Sequence, residues 1–219
     1  MGLANIADQF AAAEIRAALC GRKCWYAYTS VGNTPRLVLG RKVARSAEDM
    51  AARAQLRQRR AARGVKAAPP ECPEWERSQG ESELLVWCSW RLDEQAGPVT
   101  SWDDDAKRAE AGICRLIGHR VRDVAIGSGW NLRLEFTGAM VLSVLPDHVG
   151  PNASFDGNWE LWRPEQAYLI GTDLTCEVID RENRPLRLQS RRERWVVAGE
   201  AKPGKVKGKT GRASVRTGA

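Results

Sequence analysis

The chain has 219 residues, of which 43% are hydrophobic and 28% are charged, and its formal net charge is +7. This length can bury the core of one large or two small domains. No run of about 18 apolar residues occurs, so a membrane span is not expected. Asp8 and Glu14 interrupt the N-terminal segment, which lacks the basic start and continuous apolar centre of a secretory signal. We therefore expect a cytoplasmic protein.

The positive charge is concentrated in two segments. Residues 202–219 contain six basic and no acidic residues, and residues 41–66 contain nine basic and two acidic residues. Without both segments, 19 basic and 25 acidic residues remain, which gives a net charge of −6. The sequence thus indicates an acidic body that carries two basic appendages.

The first third of the chain predicts a helix, a hairpin and a second helix. Residues 6–19 place apolar side chains at helical spacing, Asn5 is a suitable N-cap, and Gly21 follows the end. Residues 24–29 and 36–39 are predicted strands on either side of a VGNTP turn. Residues 46–63 consist mostly of strong helix formers with little large apolar content, so this helix should project or lie loosely on the surface.

A proline-rich loop, a strand and a short helix follow. Residues 67–80 contain three prolines and predict an irregular loop. Residues 83–92 have apolar side chains on both faces, which predicts one central strand covered on both sides. Three consecutive acids, Asp103 to Asp105, favour the start of a short helix.

The second half reads as a series of short antiparallel strands separated by Gly, Pro, Asn or Asp. Predicted strands cover residues 121–126, 131–136, 140–145, 158–163 and 167–170, with further candidates at 175–179, 186–189 and 195–197. Residues from 202 onward have almost nothing to bury and are expected to be disordered. The predicted fold class is α+β, with mostly antiparallel strands.

The two halves share a pattern that suggests two pseudo-repeated β units. Residues 19–24 align with residues 116–121, and the pattern WxxWR occurs at residues 87–91 and again at 159–163. A duplication would have an Arg-rich insertion at 41–66 in its first copy, whereas chance matches among nine tryptophans are the alternative. The predicted organisation is an N-terminal helix (1–20), a first β unit (21–100) with the Arg-rich insertion (41–66) and the Pro-rich loop (67–80), a second β unit (101–199) and a basic tail (200–219).

The WxxWR segments supply the candidate residues for binding a partner protein. Two tryptophans three positions apart on a strand point to opposite faces, so one of each pair must leave a single core unless a second layer covers it. An exposed Trp beside an Arg is typical of interface hot spots, whereas two covered tryptophans would simply pack a two-layer core. The candidates are Trp87, Trp90, Arg91, Trp159, Trp162 and Arg163.

The second set of candidates is basic. Arg53, Arg57, Arg60 and Arg63 recur along one face of the predicted helix, with Arg59 adjacent. This stripe and the tail lysines Lys205, Lys207 and Lys209 suit contacts with nucleic-acid phosphates. The alternative is a solvated helix with a solubilising tail.

Evidence for an enzyme or a bound metal is weak. The six cysteines are most simply reduced thiols, and Cys20 and Cys24 lack the second ligand pair of a zinc site. His148 beside Asp147 is the best candidate base, but a single loop histidine is more often solvated. No phosphate-binding, dinucleotide-binding or nucleophile-elbow motif occurs. We therefore predict no cofactor, no metal and no catalytic residue, with an enzyme of unknown class as an alternative.

The segments LIGHRV, WNLRLEF, GNWELW and YLIG, with the earlier CSWRL, resemble a group of uncharacterised bacterial β-rich proteins, some similar to immunity proteins of toxin systems. The resemblance covers residues 19–171 with gaps. It implies a cytoplasmic, non-enzymatic protein that neutralises or scaffolds a partner protein, and the acidic body would attract a basic partner. The Arg-rich insertion and Lys-rich tail depart from that group and favour the alternative of a nucleic-acid-associated accessory protein.

Overall fold

The computed structural model of the protein describes residues 5–62, 77–147, 157–189 and 194–198. Thirteen strands form two antiparallel sheets within these residues, and three helices accompany them. The fold is α+β and mostly antiparallel, as the strand-rich sequence predicts. None of the described helices is long and apolar enough to cross a membrane.

The elements follow one another in a simple order. The helices are α1 (Ile6–Leu19), α2 (Ala47–Ala62) and α3 (Ala106–Cys114). The strands of the first half are β1 (Cys24–Ser30), β2 (Thr34–Ala44), β3 (Ser78–Val86), β4 (Ser89–Glu94) and β5 (Gly97–Ser101). The strands of the second half are β6 (Val121–Ile126), β7 (Leu132–Phe136), β8 (Val141–Leu145), β9 (Gly157–Trp162), β10 (Gln166–Gly171), β11 (Cys176–Asp180), β12 (Pro185–Gln189) and β13 (Arg194–Val197).

The helix boundaries follow from their caps. The predicted bounds of α1 are confirmed: the Asn5 side chain accepts a hydrogen bond from the backbone N of Asp8 at 2.8 Å, and Gly21 follows with φ 78°. At the start of α2, the Ser46 hydroxyl oxygen accepts from the backbone N of Asp49 at 3.0 Å. Asp105 caps α3 by accepting from two backbone N–H groups. Short polar side chains therefore start all three helices.

The predicted strand over residues 83–92 is wrong in one respect, because the chain there forms two strands in different sheets. β3 pairs with β2 and β9, whereas β4 pairs with β5 and β8. Between them, the backbone N–H groups of Trp87 and Cys88 both donate to the Asn158 carbonyl, at 2.7 and 3.1 Å. The alternation of buried residues continues through this point, so the sequence pattern does not reveal the change of partners. β3 also begins at Ser78, inside the predicted loop over residues 67–80.

Each sheet contains strands from both halves of the chain. The eight-stranded sheet has the order β1-β2-β3-β9-β10-β11-β12-β13, and the five-stranded sheet has the order β5-β4-β8-β7-β6. The hairpin β4–β5 thus completes a sheet built by β6, β7 and β8, and the hairpin β9–β10 adjoins β1, β2 and β3. One buried cluster draws on both sheets and on α1 and α3.

The two sheets meet where β1 and β6 begin. The backbone N of Gly21 donates to the Val121 carbonyl at 2.8 Å, and the backbone N of Gly118 donates to the Cys24 carbonyl at 2.7 Å. The crossing also contains bonds from Cys24 N to His119 O at 2.8 Å and from Val121 N to Arg22 O at 2.9 Å, and a bridge between Lys23 and Arg120. Every one of these bonds joins the first half to the second.

Two buried tryptophans connect the sheets further inside. The indole N–H of Trp90 donates to the Asn33 carbonyl at 2.8 Å, and that of Trp159 donates to the Trp130 carbonyl at 2.9 Å. Asn33 and Trp130 have φ values of 55° and 61°, which cost backbone energy, and each ends a 3-10 turn between two strands. The indole bonds therefore fix two strained turns against the core.

We predict that Trp159→Phe and Trp90→Phe each destabilise the fold. Each change leaves a carbonyl without its donor, which costs about 1–3 kcal/mol of unfolding free energy, and the loss of ring volume adds to this. Trp159→Phe should cost more, since its bond is buried and that of Trp90 is partly buried. Urea denaturation measures both values. The control Trp102→Phe alters a side chain that is 52% exposed and should stay within about 0.5 kcal/mol of the original; equal effects in all three variants would contradict the prediction.

Candidate binding surface

The side of the eight-stranded sheet that faces away from the shared core is called here the outer face. Strand register aligns its side chains in rows that cross the sheet. One row runs through Tyr28, Arg36, Leu85, Glu160, Leu169 and Glu177. A neighbouring row runs through Tyr26, Val38, Glu83, Trp162, Ala167 and Ile179. Both rows pass from aromatic side chains on β1 toward the strands of the second half.

Two carboxylates on β3 are each held by two arginines. Glu83 pairs with Arg36 and lies 3.5 Å from Arg45, measured between Glu83 Oε1 and Arg45 Nη2. Glu81 pairs with Arg22 and Arg41, at 3.1 and 2.6 Å. Because one carboxylate neutralises one guanidinium, each set of three groups retains a positive charge.

The environment shifts the pKa values of three of these groups. Burial opposes the charge of Arg36, but the adjacent Glu83 carboxylate raises the pKa of Arg36 above its ordinary value. Burial lowers the pKa of Arg45, and the positive charge of nearby Arg53 lowers it further. Hydrogen bonds from the backbone and side chain of Arg41 hold the pKa of Glu81 below its usual value. The carboxylate of Glu81 is therefore ionised at neutral pH.

Aromatic rings lie beside these charges on β1. The ring centroids of Tyr26 and Tyr28 are 5.4 Å apart, and those of Trp25 and Tyr26 are 6.2 Å apart. The Lys42 ammonium lies 5.1 Å from the centroid of the Trp25 ring. All three rings are partly exposed. This corner of the sheet combines flat apolar surfaces with positive charge.

A groove of about 530 Å³ lies between the middle of the outer face and the start of α2. Its lining includes Arg36, Arg45, Glu83, Trp162 and Arg163. Trp162 is 37% exposed, and its indole N–H donates to Glu160 Oε2 at 2.5 Å. The start of the Arg-rich helix and one tryptophan of the second WxxWR segment therefore border the same depression.

A second groove, of about 650 Å³, lies at the opposite end of the outer face and is called here the acidic groove. Half-buried Trp87 lines it, together with Glu160, Leu169, Asp173 and Glu177. Hydrogen bonds from the hydroxyl and backbone N–H of Thr175 lower the pKa of Asp173. Its described lining contains three acidic and no basic residues. This end of the sheet is suited to a cation beside an aromatic surface.

The predicted partner-binding residues do not lie together. Trp87, Trp162 and Arg163 lie at the grooves of the outer face. Trp90 and Trp159 are 1% and 0% exposed and pack in the core, so they form no part of a binding surface. Arg91 is exposed on the five-stranded sheet, where it pairs with Asp93 at 2.8 Å. Trp159 and Trp162 lie on opposite faces of β9, as the spacing predicts. Trp87 and Trp90 do not share a strand, because Trp87 lies between β3 and β4 and Trp90 lies on β4 of the other sheet.

The basic candidates are only partly described. Arg53 is half-buried near Arg45, and Arg59 is exposed on α2. Arg57 and Arg60 belong to α2, but their side chains lie outside the described ones. Arg63, Lys205, Lys207, Lys209 and the candidate base His148 lie outside the described residues.

The acidic triplet and the second histidine have structural partners. Asp104 accepts from the Thr100 hydroxyl and the Ser101 backbone, and Asp105 caps α3. His119 Nδ1 lies 3.2 Å from the Thr137 hydroxyl oxygen. Within the described part of the chain, no cluster of three or more His, Cys, Asp or Glu residues could hold a metal ion.

Sequence reasoning missed the cluster of Trp25, Tyr26 and Tyr28. Residues 24–29 are predicted only as a strand, although the run WYAY places Tyr26 and Tyr28 on one side of it. The available signal was the position of two tyrosines on one face of the predicted strand, with Arg36 opposite Tyr28 in the next strand. The pairing of Glu81 and Glu83 with distant arginines had no such signal, because it depends on the order of strands.

We predict that Glu81→Gln destabilises the protein at pH 7 but not in acid. Since the pKa of folded Glu81 is below the unfolded value of 4.5, its contribution to stability is present above that pH and is lost as the pH falls through the folded pKa. The difference in unfolding free energy between the original and variant should therefore shrink below pH 4.5. Urea titrations at several pH values measure it. The control Asp123→Asn changes an exposed carboxylate on β6 and should leave stability nearly unaltered; a difference for Glu81→Gln that grows in acid would refute the assignment.

Comparison with known proteins finds no family model that matches the chain, no similar curated protein and no similar solved structure.

Proposed function

We propose that the protein acts by binding a partner protein through the acidic groove. The observation that carries this proposal is the position of half-buried Trp87 beside Glu160, Asp173 and Glu177 in one open depression. An aromatic anchor surrounded by charges of one sign is the arrangement expected of a docking site for a complementary segment. The partner's segment would be basic.

The charge distribution of the whole chain supports a basic partner. Outside residues 41–66 and 202–219 the net charge is −6, and such a field speeds the approach of a cationic protein. The acidic groove would then hold a lysine or arginine of the partner against the carboxylates, with its alkyl chain on Trp87 and Leu169. Trp162 lies next along β9 beyond Glu160 and extends the apolar contact.

The resemblance to immunity proteins is consistent with this proposal. A cytoplasmic protein that neutralises a basic nuclease-like toxin would need such a surface. Under this interpretation the protein is not an enzyme. It inhibits or scaffolds its partner by binding it in the acidic groove, without catalysing a reaction.

The second candidate is association with nucleic acid. Arg59 is exposed on α2, and Arg53 lies near Arg45, which pairs with Glu83 of β3. These positions favour phosphate contacts at the end of the outer face opposite the acidic groove.

We also propose that the fold is an internal duplication. Gly21 and Gly118 are 97 positions apart, as are Cys24 and Val121, and the bonds at the crossing are reciprocal under that shift. Asn33 and Trp130 are separated by the same 97 positions, and each accepts a bond from a buried tryptophan indole.

Strand register supports the same relation. Leu37 lies opposite Leu84 in the first half, and Leu134 lies opposite Leu142 in the second. Across the exchanged hairpins, Val86 lies opposite Trp159 and Val144 lies opposite Trp90. Trp90 thus corresponds to Trp159, whereas the WxxWR alignment matched Trp90 with Trp162. The duplicated units exchange hairpins, so each one completes the other's sheet.

We predict that a basic protein binds the full chain and that Glu177→Lys prevents this. Glu177 is exposed, so the substitution should reverse the charge of the acidic groove without unfolding the sheet. Immobilised original and variant proteins are compared for capture from the native cell, and the captured protein is then titrated by calorimetry. Affinity should fall at least tenfold for Glu177→Lys and for Trp87→Ala.

Asp123→Lys is the matched control, since it introduces the same charge change at an exposed site on β6. It should retain binding. Capture of an acidic protein, or equal affinity for both Lys variants, would contradict the proposed surface.

We predict that residues 103–198 expressed alone form a dimer. In the full chain β4 pairs with the edge of β8. The fragment lacks β4 but contains β9, which is the proposed equivalent of β4. Two copies could therefore exchange β9–β10 hairpins and pair β8 with β9. Sedimentation equilibrium measures the mass, and a folded monomer would contradict the exchange of equivalent hairpins.

A further inference from the structure

We propose that the aromatic corner of the outer face binds single-stranded nucleic acid. The aromatic corner is defined as Trp25, Tyr26 and Tyr28 on β1 with Arg36 and Lys42 on β2. It lies on β1 and β2, whereas the acidic groove lies on β9, β10 and β11, so it is a separate site that does not depend on the proposed protein partner.

The rings supply surfaces on which bases can stack. Tyr26 and Tyr28 lie on the same side of β1 with ring centroids 5.4 Å apart, and both are partly exposed. Arg36 lies opposite Tyr28 in the strand register, and its Nη1 atom is 3.5 Å from the Tyr28 hydroxyl oxygen. Stacking on aromatic rings is tolerant of sequence, because every base has a flat face.

The Trp25 ring contributes differently. Lys42 lies over it at 5.1 Å, which keeps the ammonium group beside the ring surface. Lys42 is exposed, so its charge can also reach a phosphate. Trp25 therefore holds a cation at the edge of the stacking surface.

Positive charge lies beside the corner at the end of β2. Glu83 of β3 pairs with Arg36 and Arg45, so these three groups carry a net charge of +1. Guanidinium groups beside the rings can contact the phosphate backbone, whereas the rings face the bases.

The chemistry favours a single strand over a duplex or an acidic peptide. The bases of a duplex are stacked on each other and cannot stack on aromatic side chains, so a duplex would contact only the charged groups. An acidic peptide would likewise use only the charges. The side-by-side tyrosines distinguish the proposed ligand from both.

The test uses the full chain with Lys205, Lys207 and Lys209 changed to Gln, so that binding by the tail is reduced. Fluorescence anisotropy with a labelled 20-nucleotide oligo-dT is compared for this background and for Tyr26→Leu/Tyr28→Leu within it. We expect the double Leu variant to bind about tenfold more weakly. Tyr26→Phe/Tyr28→Phe should bind as the background does, because it keeps both rings.

The controls separate stacking from charge and from folding. Trp102→Leu removes an exposed ring outside the corner and should leave the affinity unchanged. Lys42→Gln should weaken binding and make it less dependent on salt. A duplex of the same length and a poly-glutamate peptide should compete less well than unlabelled oligo-dT.

Several results would overturn the proposal. These are no binding of oligo-dT at low salt, equal affinity for the double Leu variant and the background, or equal competition by the duplex or the peptide. Loss of binding in Arg53→Gln/Arg59→Gln alone would place the contact on α2 instead of the corner. Glu177→Lys does not alter the aromatic corner. Its effect on binding of the basic partner protein is therefore independent of the test of nucleic-acid binding.

Discussion

The pairing of the hairpins β4–β5 and β9–β10 with strands of the opposite half of the chain is the constraint on which the rest of the structure depends. Reciprocal backbone bonds at Gly21, Cys24, Gly118 and Val121 fix the crossing, and the Trp90 and Trp159 indoles fix two turns inside it. Because β9 pairs with β3, the outer face combines strands from both halves of the chain. The aromatic corner lies on β1 and β2, and the acidic groove is lined by β9, β10 and β11 and by Trp87 of the first half.

The outer face separates charge along its length. Arg36, Arg45 and Lys42 lie on or just after β2, and Glu160, Asp173 and Glu177 line the acidic groove. The composition of any short segment does not show this separation of charge, because the strands that carry the charges are distant in the chain. The proposed binding of a basic protein and of a nucleic acid can therefore coexist on one sheet.

Much of the local structure could be predicted from the sequence, and most of the tertiary arrangement could not. Asn5, Ser46 and Asp105 marked helix starts because capping is local. The strands of the second half were recognisable from alternation, as in Leu132, Leu134 and Phe136. The break between β3 and β4 was missed because Val86, Cys88 and Trp90 keep the alternation of one strand. The covered and exposed members of each Trp pair, and the Tyr26–Tyr28 corner, depended on strand order, which periodicity does not encode.

The pairing of β3 with β9 has a consequence for the order of folding. β3 ends at Val86, and its partner strand begins only at Gly157, so a ribosome must add about 70 residues before that edge is covered. Non-local pairing of this kind slows folding and leaves a hydrogen-bonding edge open meanwhile. Glu81 and Glu83 lie on that strand, and charged side chains on an uncovered edge strand disfavour pairing with other chains.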